Sequence, residues 1–144
     1  MGQVAEEAVS NYGIHSSRQP SATQIQRDIQ ALGFARGVGG GSTEGIGEAE
    51  YQVRYSIALL WPEREWARAV CISYWETGES FDPLRVGAAG ERGVFQVHPV
   101  HINRFISYGG WGSAFIVSVN ASVAYEIWLD DGGSFKQWTT ASLC

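Results

Sequence analysis

Trp66-Ala-Arg-Ala-Val-Cys71-Ile-Ser-Tyr-Trp-Glu76-Thr-Gly-Glu79-Ser-Phe-Asp-Pro83, followed by Gly87-Ala-Ala-Gly-Glu91-Arg-Gly93-Val-Phe-Gln96-Val-His98-Pro-Val-His101, is the stretch whose reading decides the fold. It begins as a helix: Trp66, Ala69, Val70 and Ser73 fall on one face, and the small residues among them permit close helix packing. Upstream, Pro62 suits the first helical position, and Glu63 and Glu65 sit in the first turn, where the dipole favours acids. The helix runs to Glu76, and Gly78 and Pro83 forbid its continuation. The second half reads as a turn and then a short strand, Val94-Phe-Gln-Val97.

Working outward, Tyr51, Tyr55 and Leu59 recur every four residues and predict a helix over 48–60. It ends before Trp61-Pro62, since a residue preceding proline disfavours the helical well. Downstream, Pro99 restarts a helix to about Ser107 with Ile102, Phe105 and Ile106 as its apolar residues, and Tyr108-Gly-Gly-Trp-Gly112 is a loop. Residues 113–119 fit either strand or helix. Asn120 caps a helix reaching about Leu129, with Ala121, Ala124, Tyr125 and Trp128 inward, and Asp130-Asp-Gly-Gly133 stops it. The expected class is mainly α (α+β), a small β element beside a helical bundle.

Residues 1–45 read differently. Ser21-Ala-Thr-Gln24 fits a capping box, and Ile25, Ile29 and Leu32 form one stripe, so a short amphipathic helix is expected at about 22–32. Too short to stand alone, it must dock on the main domain or on a partner protein. Gly37-Val-Gly-Gly-Gly-Ser-Thr-Glu-Gly45 is a flexible linker by composition; it lacks the Gly-Lys-Ser/Thr ending of a phosphate loop. The organisation is thus an N-terminal arm, 1–45, and a main domain, 46–144.

Composition narrows the function. The chain has 144 residues, a net charge of −5 and 18 glycines, well above the usual ~7%. A domain of that size can be stable without staples. A pI near 5.1 excludes the basic footprint of a nucleic-acid binder. No apolar run approaches the ~18 residues of a membrane span. The N-terminus Met-Gly-Gln-Val-Ala-Glu-Glu has neither the basic nor the apolar region of a secretory signal. Cys71 and Cys144 either pair, tying the C-terminus to the helix of Glu76, or stand as two buried thiols; their Cα separation decides.

Glu76 is the residue with chemistry. At a helix C-terminus the negative end of the dipole disfavours a carboxylate, and Tyr74, Trp75 and Phe81 are close enough in sequence to desolvate it. A carboxyl so placed keeps its proton toward neutral pH and can serve as a general acid. An isolated glutamate at a frayed helix end would carry no such meaning; here the motif around it does.

Glu76-Thr-Gly-Glu-Ser-Phe-Asp-Pro83 and Gly93-Val-Phe-Gln96 together resemble the lysozyme-like fold of lytic transglycosylases and goose-type lysozymes, in a phage-type form. In that family a Glu-Ser/Thr-Gly turn closes the catalytic helix, and a Gly-Leu/Val-Phe-Gln segment floors the cleft. The match is to the longer variant Glu-Thr-Gly-Gly-Thr-Phe-Asp-Pro. Glu79-Ser-Phe lacks a residue of the shorter form, so Glu76 is chosen over Glu79 as the acid. The likeness covers roughly residues 48–140, including Asn120, Ala124, Gly132-Gly133 and Trp138-Thr-Thr, and none of the first 45. A departure is Glu91-Arg92 just before Gly93, which alters the cleft rim.

The resemblance implies a peptidoglycan lytic transglycosylase that cleaves the MurNAc–GlcNAc β-1,4 bond with Glu76 as acid and then base, without cofactor. It implies substrate contacts from Thr77, Gly93, Phe95 and Gln96; His98 or His101 is a further candidate to line the cleft. Tyr125 and Trp138 are candidate cleft aromatics, against core packing as the simpler role. A hydrolase of the lysozyme type is the alternative; it needs a second carboxylate, and Glu79, Asp82, Asp130 and Asp131 are weak candidates. His98 and His101, with only His15 besides, fall short of the three or four ligands of a zinc site, so no metal is expected. A third reading is a virion structural protein that keeps the fold and acts through residues 1–45 on a virion or tail partner. Either way the expected location is the virion, or the bacterial wall and periplasm after release.

Overall fold

The computed structural model describes residues 47–144. The arm 1–45, its expected helix at 22–32 and the glycine linker lie outside the described residues. The rest is mainly helical: α1 (Glu48–Leu60), α2 (Trp66–Glu76) and α3 (Val117–Asp130), with 3₁₀ segments at Glu63–Glu65, Pro99–Tyr108, Trp111–Phe115 and Thr139–Leu143. None of its helices is long and apolar enough to cross a membrane.

α1 packs on both α2 and α3. Its inward face is Val53, Ser56, Ile57 and Leu60 together with Leu59. Tyr51 and Tyr55, which the four-residue spacing places with Leu59, are only partly buried and stack on one another at 6.2 Å. The first helix ends before Trp61-Pro62 as expected, but Pro62 opens a single 3₁₀ turn, Glu63–Glu65, rather than the first turn of α2, which begins at Trp66. The expected face of α2, Trp66, Ala69, Val70 and Ser73, is buried.

Trp61, between the two helices, is the hub of the core. It is fully buried, with the rings of Tyr125, Phe95, Phe135 and Trp128 at 5.3, 5.5, 5.9 and 6.4 Å. Burying one such aromatic removes 150–250 Å² from water, so α1, α3, the 93–97 turn and the C-terminal tail all gain by closing on it.

Three expectations are corrected. The strand at Val94–Val97 is a turn: Gly93–Gln96 form it, and only isolated antiparallel bridges, Val86 to Arg92 and Arg92 to Val97, flank it. Val94, Phe95, Gln96 and Val97 are all buried, which a one-sided strand with alternating faces cannot achieve. Pro99–Tyr108 is a 3₁₀ segment with Phe105 inward, while Ile102 and Ile106 are exposed. α3 starts at Val117, so Asn120 is inside the helix rather than its cap. The inward residues Ala121, Ala124, Tyr125 and Trp128 stand as expected.

Two links fasten the periphery. Arg104 pairs with Asp130 at 2.8 Å, and Tyr108 donates to Glu126 at 2.9 Å, holding the 3₁₀ segment to α3. Cys71 and Cys144 form a disulfide that joins the C-terminal turn to α2.

Candidate active site

Glu76 is the last residue of α2 and is partly buried. Its carboxyl lines a groove of about 210 Å³ together with Glu91, Gln96, Val97, His98 and His101, closed on the other side by Ile127, Gln137, Trp138 and Thr139. Burial raises the Glu76 pKa above the ordinary value; the hydroxyl of Thr140, donating to Oε2 at 2.7 Å, works against this, and the charge of Glu91 adds to the rise. The apolar wall is not the one the sequence suggests. Tyr74, Trp75 and Phe81 pack on one another and none lines the groove; Val97, Ile127 and Trp138 do.

A raised pKa does not single out this glutamate. Burial also raises Glu126, against donation from Tyr108 and the nearby charge of Arg104. That carboxylate lies between 3₁₀ segment and α3 as a structural link and is absent from the groove. Glu79 sits exposed in the turn after α2, at φ +68°, its carboxylate 3.5 Å from the Tyr74 hydroxyl. Of the two candidate acids, Glu76 alone is in the groove.

The Gly93–Gln96 turn, which brings Gln96 to the groove, is held by three separate elements. Asn120 of α3 accepts from Phe95 N at 2.8 Å and donates to the carbonyls of Arg92 and Ala114 at 2.8 and 2.9 Å. Ser73 of α2 donates to Val94 O at 2.7 Å, and the Trp138 indole donates to Phe95 O at 2.8 Å. Gly93 has φ +82°, and a Cβ there would stand 2.3 Å from both Ala114 O and Asn120 Nδ2. Only glycine lets the turn close on Asn120.

Gln96, which lines the groove, is itself left-handed, φ +47°, a conformation that costs a non-glycine residue energy. Nε2 donates to the carbonyls of Arg85 and Gly93 at 2.9 and 3.0 Å, so the side chain is fixed. Its Oε1 and Glu91 Oε1 converge on Gly87, where a Cβ would come within 2.7 Å of each.

The remaining expected site residues divide. Trp138 and His98 line the groove; His98 also caps the 3₁₀ segment, Nδ1 accepting from Val100 N at 3.0 Å. Phe95 is wholly buried. Thr77 is buried too, donating to Ser73 O at 2.8 Å and accepting from Phe81 N at 2.7 Å, so its role is to lock the turn after α2 rather than to touch substrate. Tyr125 is a core ring, stacked on Trp128 at 5.7 Å and edge-on to Trp61.

Three residues to which sequence reasoning gave no catalytic or binding role, Glu91, Gln137 and Thr140, are in the site. Glu91 is fixed by Ala89 N–H donating to Oε1 at 2.8 Å, and it brings a second carboxylate beside Glu76. Its neighbour Arg92 turns the other way, onto the rings of Trp111 and Phe115 at 4.7 and 4.8 Å. The only signal was the unusual Glu-Arg pair before Gly93, read as a rim feature. His101 and Gln137 meet across the groove at 2.8 Å. Thr140 reaches Glu76 across 64 positions of sequence, which no local pattern reveals. Among the described residues no group of three or more His, Cys, Asp or Glu is arranged to hold a metal ion.

The chain matches no family model, no curated protein and no solved structure. Its motif and its geometry are therefore what a functional reading rests on.

Proposed function

We propose that this protein cleaves the β-1,4 glycosidic bond between MurNAc and GlcNAc in peptidoglycan, with a lysozyme-like fold and Glu76 as general acid. The observation that carries the reading is one groove holding a carboxyl with its pKa raised by burial, a fixed amide at Gln96 and a tryptophan wall. A raised pKa keeps Glu76 protonated closer to neutral pH, so that it can protonate the leaving oxygen. The Gln96 carbonyl oxygen offers an acceptor to a sugar amide or hydroxyl. The groove is smaller than the ~300–1,000 Å³ that encloses a drug-sized ligand. It suits one sugar unit of a strand that continues over the surface.

As a lytic transglycosylase, the Glu76 carboxylate left by the first step takes the proton of the muramic 6-hydroxyl, and that oxygen closes a 1,6-anhydro ring. A second reading, hydrolysis, is favoured by Glu91: a carboxylate sharing the groove with the acid supplies the partner that the two-carboxylate mechanism requires. The anchoring role considered for residues 1–45, on a virion or tail partner, gains no support from the described residues. The Cys71–Cys144 disulfide supports work in an oxidising setting such as a virion, a periplasm or a cell wall.

Digestion of purified peptidoglycan by wild type and Glu76→Gln, with mass spectrometry of the fragments, tests the reading. Wild type is expected to release muropeptides, and Glu76→Gln to lose about a thousandfold or more in rate, the effect of removing a group essential to the chemical step. Undiminished cleavage by the variant rejects the assignment. Anhydro ends among the products identify a transglycosylase, and reducing ends a hydrolase.

A further inference from the structure

Glu76 receives its hydroxyl from an unexpected direction. Thr77, next in sequence, is turned into the protein, and the donor to Oε2 is Thr140, in the 3₁₀ turn Thr139–Leu143 at the other end of the domain. That turn packs against α2. Beyond Ala141 its residues are exposed, and a short exposed turn with few buried contacts opens readily unless tied down. The tie is the disulfide from Cys144 to Cys71, which is on α2 itself, the helix that ends in Glu76.

We propose that Thr140 is a positioning residue for the acid and that the Cys71–Cys144 disulfide keeps its hydroxyl on Glu76; the inference rests on reading Glu76 as the proton donor. A hydroxyl hydrogen bonded to Oε2 makes that oxygen an acceptor, so the neutral carboxyl carries its proton on Oε1. The donor also steadies the carboxylate left when the proton departs, at no cost of reorganisation in that step. The other titratable groups on the groove are Glu91, whose charge opposes ionisation of Glu76, and His98 and His101 along the 3₁₀ side. Among these Thr140 is a neutral donor, and it favours ionisation at every pH.

The test is the pH profile of kcat for full-length protein on soluble glycan-strand fragments, with folding checked by near-UV circular dichroism. Thr140→Val is expected to lower kcat about tenfold, the loss of one charge-assisted hydrogen bond, and to move the basic limb to higher pH. Thr140→Ser, which keeps the donor, rescues both. Cys144→Ser is expected to move the limb in the same direction while remaining folded, and Thr140→Val added to it has little further effect. A Thr140→Val limb that coincides with wild type, or a loss shared equally by Thr140→Ser, reduces Thr140 to packing and overturns the proposal. A Cys144→Ser profile identical to wild type removes the disulfide from it. Glu76→Gln is run alongside: full activity there rejects the acid assignment itself, whereas an inactive Glu76→Gln with an unmoved Thr140→Val limb rejects the positioning role alone.

Discussion

At the residue scale, the burial that raises the Glu76 pKa works against the fold once the carboxyl ionises. Its folded pKa is raised, by desolvation first and by Glu91 next. Between its unfolded and folded pKa values the native state therefore holds more protons than the unfolded state. The slope of unfolding free energy with pH is then negative, so stability falls as pH rises through that window. Glu76→Gln removes the ionisation, and its amide oxygen still accepts from Thr140. The variant is expected to be more stable than wild type at pH 7, with the difference closing as pH drops below the usual carboxylate range. Urea denaturation at pH 7 and pH 4 measures this; an unchanged or lower midpoint at pH 7 contradicts it. Glu76 was legible as a residue because helix end, turn and motif coincide in sequence. Glu91 and Thr140 were not, because their meaning depends on which side chains the folded chain brings to the same groove.

At the scale of elements, the Gly93–Gln96 turn shows how a local pattern misleads. Val94-Phe-Gln-Val97 has the β-branched and aromatic content of a strand, and a short apolar run cannot be told apart by periodicity. Tertiary contacts override that propensity. Asn120, Ser73 and Trp138 take the backbone groups that a neighbouring strand would have used. Gly93 supplies the left-handed backbone that lets them close. Asn120 is the chief of these, since one fully buried side chain serves three backbone groups from two segments. Asn120→Ala removes all three hydrogen bonds and is expected to destabilise the protein by about 3 kcal/mol, at roughly 1 kcal/mol for each. The turn should loosen with it. Chemical denaturation reads the first effect, and amide hydrogen exchange at Phe95 the second; protection equal to wild type would refute the role given to Asn120. The same residue illustrates the shift of a helix start. Asparagine before an apolar run suits a cap, but here the helix has already begun at Val117 and the side chain is spent on the turn.

At the scale of the whole molecule, one aromatic centre and one covalent link hold the two ends of the domain together. Trp61 gathers rings from α3, the Gly93–Gln96 turn and the tail, while the disulfide spans 73 positions from α2 to the C-terminus. Loop closure on that scale is worth about 4 kcal/mol through the unfolded chain. Cys144→Ser is accordingly expected to lower the unfolding free energy by about that amount and to raise the denaturant dependence, since the unlinked chain expands further. An unchanged midpoint would show that the link adds nothing to the fold. What the sequence by itself determined was local: three helices from apolar spacing and proline punctuation, the turn that ends α2, and the glutamate at that end. Those follow from contacts within a few residues, where backbone geometry dictates which side chains share a face. Only the tertiary structure decided that Gly93–Gln96 is a turn, that Thr77 faces inward, that the two cysteines pair, and that Glu91 and Thr140 lie beside Glu76. Each of these depends on residues far apart in the chain, and burial, hydrogen bonding and charge at such distances are set by how the whole core closes.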